Sequence, residues 1–283
     1  MWYNFKIYYY KNQDELLTNM ISAYFDNNSI TDFFFIRYWE GGPHIRLRVK
    51  KNSSFSEKDF IQKIKDYMEK VPSVAVINEE YLLKSMENLA LQENIDTHSI
   101  DLIADNSVII DDYLPEIGKY GNVGIKFAEK EFVYSSHLAL LFLNFVNNSI
   151  EKKLIAALFS VNLVLITLDK KQMTSFFEYY TSYWSKYLVE DSLLKVKDNL
   201  NKFDPGLIPI EFVNEIEGVF KQTHFNIIHS EIFEQLKIQE TSVSVAQFLF
   251  NFIHLFNNRL GIKPEDEIVV SLLGEKIINE KLS

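Results

Sequence analysis

The chain contains no cysteine. That excludes disulfides, thiolate metal sites and a cysteine nucleophile, and it is compatible with a cytoplasmic location. Basic residues are in the minority, 29 Lys and Arg against 39 Asp and Glu, with a formal net charge of -10 and a pI of about 5.2. Generic nucleic-acid binding needs a basic field, so no direct nucleic-acid partner is expected. No apolar run reaches the roughly 18 residues of a membrane span. No basic amphipathic stretch is present to meet an anionic membrane. The N-terminal Met1-Trp2-Tyr3-Asn4-Phe5 lacks the basic segment and cleavage site of a signal peptide. His137, His224 and His229 show no metal-ligand spacing with carboxylates on a shared face. Gly121 and Gly124 do not form a phosphate loop, and there is no G-x-S-x-G or Walker pattern. No metal and no cofactor are expected.

What the chain does have is core material: 47% hydrophobic residues, 23 of them Phe, enough for one large domain or two closely joined lobes. Residues 2–10 read as a strand, 13–26 as an amphipathic helix with Leu16, Leu17, Met20, Ile21, Tyr24 and Phe25 on one side. Residues 33–50 read as a hairpin. Ser56 caps a helix to about Lys70. Residues 73–83 read as a further strand, and 84–112 show no clear period. Beyond this the pattern is helical: 124–148, 150–168, 171–200, 209–239, 242–259 and 264–281, with Asp204-Pro205-Gly206 and Pro209 as breakers and Gly261 and Pro264 closing the fifth of these helices. The expected architecture is α+β: a mainly antiparallel sheet with helices over 1–123, then a helix-rich lobe over 124–283.

The hairpin carries the sharpest signal. In His44-Ile45-Arg46-Leu47-Arg48-Val49 the alternation sends His44, Arg46 and Arg48 to one face and the aliphatics to the other. If Trp39 faces His44 across the Gly41-Gly42-Pro43 turn, Arg37 faces Arg46. Opposed like charges weaken a sheet by roughly 0.2–1 kcal/mol. They become sensible when a carboxylate sits between them, because guanidinium grips carboxylate in a fork. The alternative is a solvated face with each Arg paired to a surface Glu. His254 lies in the apolar run 248–256 and reads either as a satisfied core residue or as part of a polar patch with Asn258, one turn on, and Arg259. His44 reads as a hairpin cap or a site residue, and Glu116 as a structural partner of Lys119 or Tyr120 or as a site residue.

Three segments carry a resemblance: Arg37 to Arg48, Tyr113-Leu114-Pro115-Glu116-Ile117-Gly118-Lys119-Tyr120-Gly121 with Ala128-Glu129 and Phe132 to Ser136, and Ile253-His254-Leu255-Phe256-Asn257-Asn258-Arg259-Leu260-Gly261. In this order the chain resembles, over nearly its whole length, the C-terminal glutamate-elimination domain of class I lantibiotic dehydratases, in the standalone form found among thiopeptide-type bacteriocin biosynthesis proteins. The resemblance implies a lyase that acts on a precursor peptide. A separate glutamyl-tRNA-dependent protein esterifies Ser or Thr with glutamate, and this domain then expels the glutamate to leave dehydroalanine or dehydrobutyrine. It also implies that Arg46, Arg48 and His254 are catalytic. Such chemistry needs cations for the carboxylate of the leaving group and for the one that develops as the ester breaks. It also needs a base for the Cα proton, a role that suits histidine. Arg37, His44, Glu116, Lys119, Tyr120, Asn258 and Arg259 are the candidate substrate-binding residues, with the site drawing on both lobes. A homodimer is compatible with the resemblance.

Two positions depart from the family pattern. Lys119 stands where Arg is usual, and Lys cannot make a bidentate contact. Tyr134 stands where an acidic residue before Ser is common. Two other functions stay open: a pyridine synthase, joining two dehydroalanines in a formal [4+2] cycloaddition, and an inactive precursor-binding or scaffold module.

Overall fold

A computed structural model describes residues 1–51, 55–75, 78–93, 101–146, 148–187, 196, 209–239 and 241–282. The described chain divides into two compact units, Met1–Leu114 and Pro115–Ser283.

The first unit is built on a four-stranded antiparallel sheet in the order β2-β3-β1-β4. The strands are β1 (Trp2–Tyr8), β2 (Phe33–Tyr38), β3 (His44–Lys50) and β4 (Ser107–Asp111). Period-two alternation gives the sheet one greasy face: Phe5, Ile7, Phe33, Phe35, Ile45, Leu47 and Val49 are buried. Against it lies a first helical segment, consisting of α1 (Gln13–Glu15), a π-helical stretch (Leu16–Ser22) and α2 (Ala23–Asn27), and then α3 (Glu57–Lys70). Phe25 meets Phe33 at 4.4 Å between ring centroids, and Phe60 meets Phe5 at 5.2 Å. Ser56 caps α3 by accepting from the Asp59 amide, as its position before the first apolar residue predicts.

The expected strand over 73–83 does not form among the described residues: 73–75 and 78 are irregular, and α4 (Glu79–Glu93) begins within the segment. Two acidic residues in its first turn favour a helix start, and Met86 and Ala90, four apart, are buried. Residues 76–77 and 94–100 lie outside the described residues. The stretch read as irregular also holds β4, an edge strand of five residues whose Ile109 and Ile110 are exposed. An edge strand has little burial to imprint on its sequence.

The β2–β3 register also differs from expectation. Tyr38 pairs with His44, so Ile36 opposes Arg46 and Arg37 opposes Ile45. Five residues, Trp39 to Pro43, make the turn, and a one-residue change in register sends every β2 side chain to the other face. The turn is tied down by Ile103, whose amide donates to the Gly41 carbonyl at 2.8 Å, and by the Tyr10 hydroxyl, which donates to the Ile103 carbonyl at 2.5 Å. Gly42 has φ 110, and a Cβ there would collide with the Tyr10 ring and hydroxyl. Any other residue would be strained there.

The second unit is helical: α5 (Ile117–Leu143), α6 (Ser149–Thr167), α7 (Lys170–Ser185), α8 (Ile210–Gln222), α9 (Phe225–Ile238), α10 (Val245–Leu260), a 3-10 turn (Pro264–Asp266) and α11 (Glu267–Leu282). Helix α10 packs on α5 and α6, and α11 on α6 and α7. Phe159 of α6 stacks on Phe256 of α10 at 3.8 Å between centroids. The expected single helix over 209–239 is two, broken at Thr223 and His224, the latter at φ 57. No Gly or Pro marks that break, which is why periodicity ran through it. The later part of the expected helix over 171–200 and the Asp204-Pro205-Gly206 breaker lie outside the described residues. Among the described residues no helix is long and apolar enough to cross a membrane.

Candidate functional site

Two groups of predicted residues stand out, one in each unit. In the first, β3 places His44, Arg46 and Arg48 on the sheet face opposite the helices α1 to α3, beside Asn4, Lys6 and Tyr8 of β1 and Phe34, Ile36 and Tyr38 of β2. The three residues thus do share one face, and aromatics flank them.

Arg46 is engaged by three neighbours. Its guanidinium lies 3.5 Å from the Tyr38 ring centroid, donates through NH2 to Glu40 Oε2 at 2.7 Å, and donates through Nε to His44 Nε2 at 3.3 Å. The Glu40 carboxylate is half exposed, so its bond to Arg46 is a surface pair of roughly 0–1 kcal/mol. Arg46 thus meets a carboxylate through one guanidinium nitrogen. Arg48 is buried, donates to the Arg46 carbonyl at 3.1 Å, and faces the rings of Phe34 and Tyr113.

His44 is fully buried and stacks on Tyr8 at 4.4 Å. Its Nδ1–H donates to the Gly42 carbonyl at 2.9 Å. A carbonyl can only accept, so Nε2 carries the lone pair that receives Arg46. Burial pushes the imidazole pKa down to about 4, with Arg46, Lys6 and Arg48 adding to the fall against the Gly42 hydrogen bond. At neutral pH His44 is an uncharged strut that aims Arg46.

Arg37 does not join this group. The register turns it to the other face, where it pairs with Asp14 of α1 at 2.5 Å. The expected Arg37–Arg46 opposition is therefore corrected: the two cations lie on opposite sides of one sheet.

The second group centres on His254 of α10. Its Nδ1 lies 2.7 Å from Oε1 of Glu267, the first residue of α11. Glu267 is 1% exposed. Its Oε2 accepts from the Tyr180 hydroxyl of α7 at 2.7 Å and from Asn257 Nδ2 at 2.5 Å. Burial, and then the charge of Glu267, holds the Tyr180 phenol far above its ordinary range, so it remains a donor. Trp184 covers one face of the His254 ring at 4.7 Å and 31°. The side chain of His254 is still 26% exposed.

The other candidates divide. Asn258 is half-buried one turn beyond His254, but the amide that shares the carboxylate with His254 is Asn257. Arg259 is not on the His254 face, since five residues along a helix turn the side chain by about 140°. It is fully buried and donates to Ser135 Oγ of α5 at 2.9 Å. Burial pulls its guanidinium pKa down to about 10, and Glu131 opposes the fall. Tyr120 is buried against Phe132 and Phe248. Lys119 and Glu116 form a pair at 3.7 Å, and both are more than a third exposed. They precede Gly121, whose φ 72 and ψ 163 interrupt α5. A Cβ at Gly121 would come within 2.7 Å of Ser242 Oγ.

The residues that sequence reasoning missed are Glu267, Tyr180, Asn257 and Trp184. Glu267 follows His254 across the Gly261 turn and the Pro264–Asp266 turn, and no helical spacing rule links positions on either side of a chain reversal.

A small antiparallel sheet with a cationic strand, followed by a helical unit, makes this an α+β protein. The family model described as the lantibiotic biosynthesis dehydratase C-terminal domain matches residues 2–277, and the chain belongs to that family. Among solved structures it is similar to the pyridine synthase TbtD from thiomuracin biosynthesis, with a TM-score of 0.71 and 16% identity over 99% of this chain and 98% of that one. It is similar to the tRNA-dependent lantibiotic dehydratase MibB from Microbispora sp. 107891, with a TM-score of 0.59 and 14% identity, covering 99% of this chain but 28% of MibB. It also resembles TsrL, with a TM-score of 0.58 and 12% identity over 100% and 95% of the two chains. At these identities the likeness is one of fold. Comparison with curated protein sequences finds no match.

Proposed function

We propose that the protein is a glutamate-eliminating lyase acting on a precursor peptide whose Ser or Thr side chains a separate glutamyl-tRNA-dependent protein has esterified. His254 Nε2 takes the Cα proton. The electron pair forms the Cα–Cβ double bond, the Cβ–O bond breaks, and glutamate leaves as a carboxylate. Arg46 and Arg48 hold the carboxylates of the leaving glutamate. Glu116, Lys119, Tyr120 and Asn258 remain candidates for substrate binding.

The observation that carries this reading is the engagement of His254 Nδ1 by a buried carboxylate, which leaves the opposite ring nitrogen as a base. The Glu40–Arg46 bond supports the assignment of Arg46, because one of its guanidinium nitrogens already holds a carboxylate. Displacing an exposed carboxylate costs little.

A second reading has its own support. The likeness to TbtD runs end to end in both chains, whereas the match to MibB covers a minor part of that protein. A pyridine synthase would join two dehydroalanines in a formal cycloaddition and need no glutamate clamp.

The test offers purified protein two peptides, one bearing glutamyl-Ser esters and one bearing dehydroalanines, with mass spectrometry of both. Loss of glutamate with dehydroalanine formation supports the lyase. An intact ester together with a cyclised dehydroalanine peptide selects the synthase. Binding of a peptide without chemistry means a carrier module.

A further inference from the structure

We infer that Glu267 is a positioning residue that fixes His254 in the tautomer protonated on Nδ1, so that Nε2 is always the basic nitrogen. As an account of catalysis this rests on the lyase reading; as an account of the imidazole it does not.

Three side chains converge on Glu267: His254 Nδ1 and Tyr180 Oη at 2.7 Å, and Asn257 Nδ2 at 2.5 Å. All three can donate. A carboxylate accepts from all of them, whereas a carboxylic acid would set its own proton against one. Tyr180 and Asn257 both address Oε2, which reserves Oε1 for the histidine. The three donors come from α7 and α10 and the acceptor from α11, so two helices lock a carboxylate carried by a third. The dyad is therefore preorganised without substrate, and this lowers the reorganisation needed for proton transfer.

Trp184 completes the arrangement. It lies against the His254 ring, 4.7 Å between centroids, while Nδ1 is committed to Glu267 and the side chain keeps 26% exposure. The logic is that of a base oriented by a third group, with Glu267 as the orienter.

The Glu267→Gln variant separates orientation from simple packing. It is nearly isosteric, but an amide offers one acceptor and one donor end. If the amide oxygen keeps Tyr180 and Asn257, the amide nitrogen faces Nδ1 and forces the proton to Nε2. Two donors outweigh one, so the tautomer should reverse and the base should be lost.

The experiment is ¹⁵N NMR of the histidine side chains above pH 8, with His254 assigned by its absence in His254→Asn, run beside elimination kinetics. Wild type is expected to show Nδ1 protonated and Nε2 bare. Glu267→Gln is expected to show the reverse, with kcat falling about 10²-fold or more and KM little changed, while Glu267→Asp, which keeps the carboxylate, retains the wild-type tautomer and part of the rate. Nε2 protonated in wild type overturns the proposal whether or not the Gln variant folds. So does an unchanged tautomer in a folded Glu267→Gln, or a reversed one with the full rate. If wild type eliminates nothing, the lyase reading fails while the tautomer still decides the role of Glu267.

Discussion

His44 makes acid sensitivity of the first unit a quantitative expectation. The imidazole is fully buried, and its pKa is pushed down to about 4 from an ordinary 6.5. The folded state thus resists a proton that the unfolded chain accepts. Its contribution is complete above about pH 6.5 and is lost as the pH falls from there toward 4, where it levels off. Single-site linkage over the drop from pH 7 to pH 5 gives a loss of about 2 kcal/mol. Asp111, whose carboxyl Lys6 holds below the usual carboxylate range, titrates below that window. The matching perturbation is His44→Gln, which keeps a donor for Gly42 and an acceptor for Arg46 but does not titrate. Urea denaturation at pH 7 and pH 5 reads the effect. Wild type should lose about 2 kcal/mol more than the variant between the two. Equal losses would refute the claim that His44 is a buried neutral strut.

Other substitutions test other parts of the account. Glu40→Gln removes the carboxylate from the Arg46 fork and should tighten glutamate binding several-fold in calorimetry; unchanged affinity would mean that Arg46 does not meet the ligand. Arg259→Met leaves Glu131, which is fully buried, without its nearby guanidinium. It should destabilise the second unit by about 3–5 kcal/mol, read as a lower urea midpoint. Gly42→Ala combines φ 110 with a clash against Tyr10 and should cost about 1–3 kcal/mol, with exchange of the hairpin amides accelerating first.

Alternation alone was enough to place His44, Arg46 and Arg48 on one face, because a strand buried on its other side leaves a period-two trace. The partners across the turn were not legible. Gly41-Gly42-Pro43 reads as the turn with Trp39 facing His44, but Trp39 belongs to the turn as well, and that shift moves Arg37 through the sheet to Asp14. His254 was legible as a polar intruder in an apolar helix. Its carboxylate was not, since the pairing of α10 with α11 arises from helix packing across a reversal. Arg259 shows the converse: adjacency in sequence suggested a shared patch, and helical geometry carries it to Ser135. The breaks at Thr223 and His224 and the short strand β4 escaped notice because neither Gly, Pro nor deep burial marks them.

The central claim is that His254 removes a proton while the arginines of β3 hold the departing glutamate. Its most direct test is release of free glutamate from a glutamyl-Ser peptide, followed by mass spectrometry for wild type, Arg46→Ala and His254→Ala. The account predicts one dehydroalanine per glutamate released by wild type and near-complete loss of both products in each variant. Undiminished elimination by His254→Ala, or by Arg46→Ala, would contradict it.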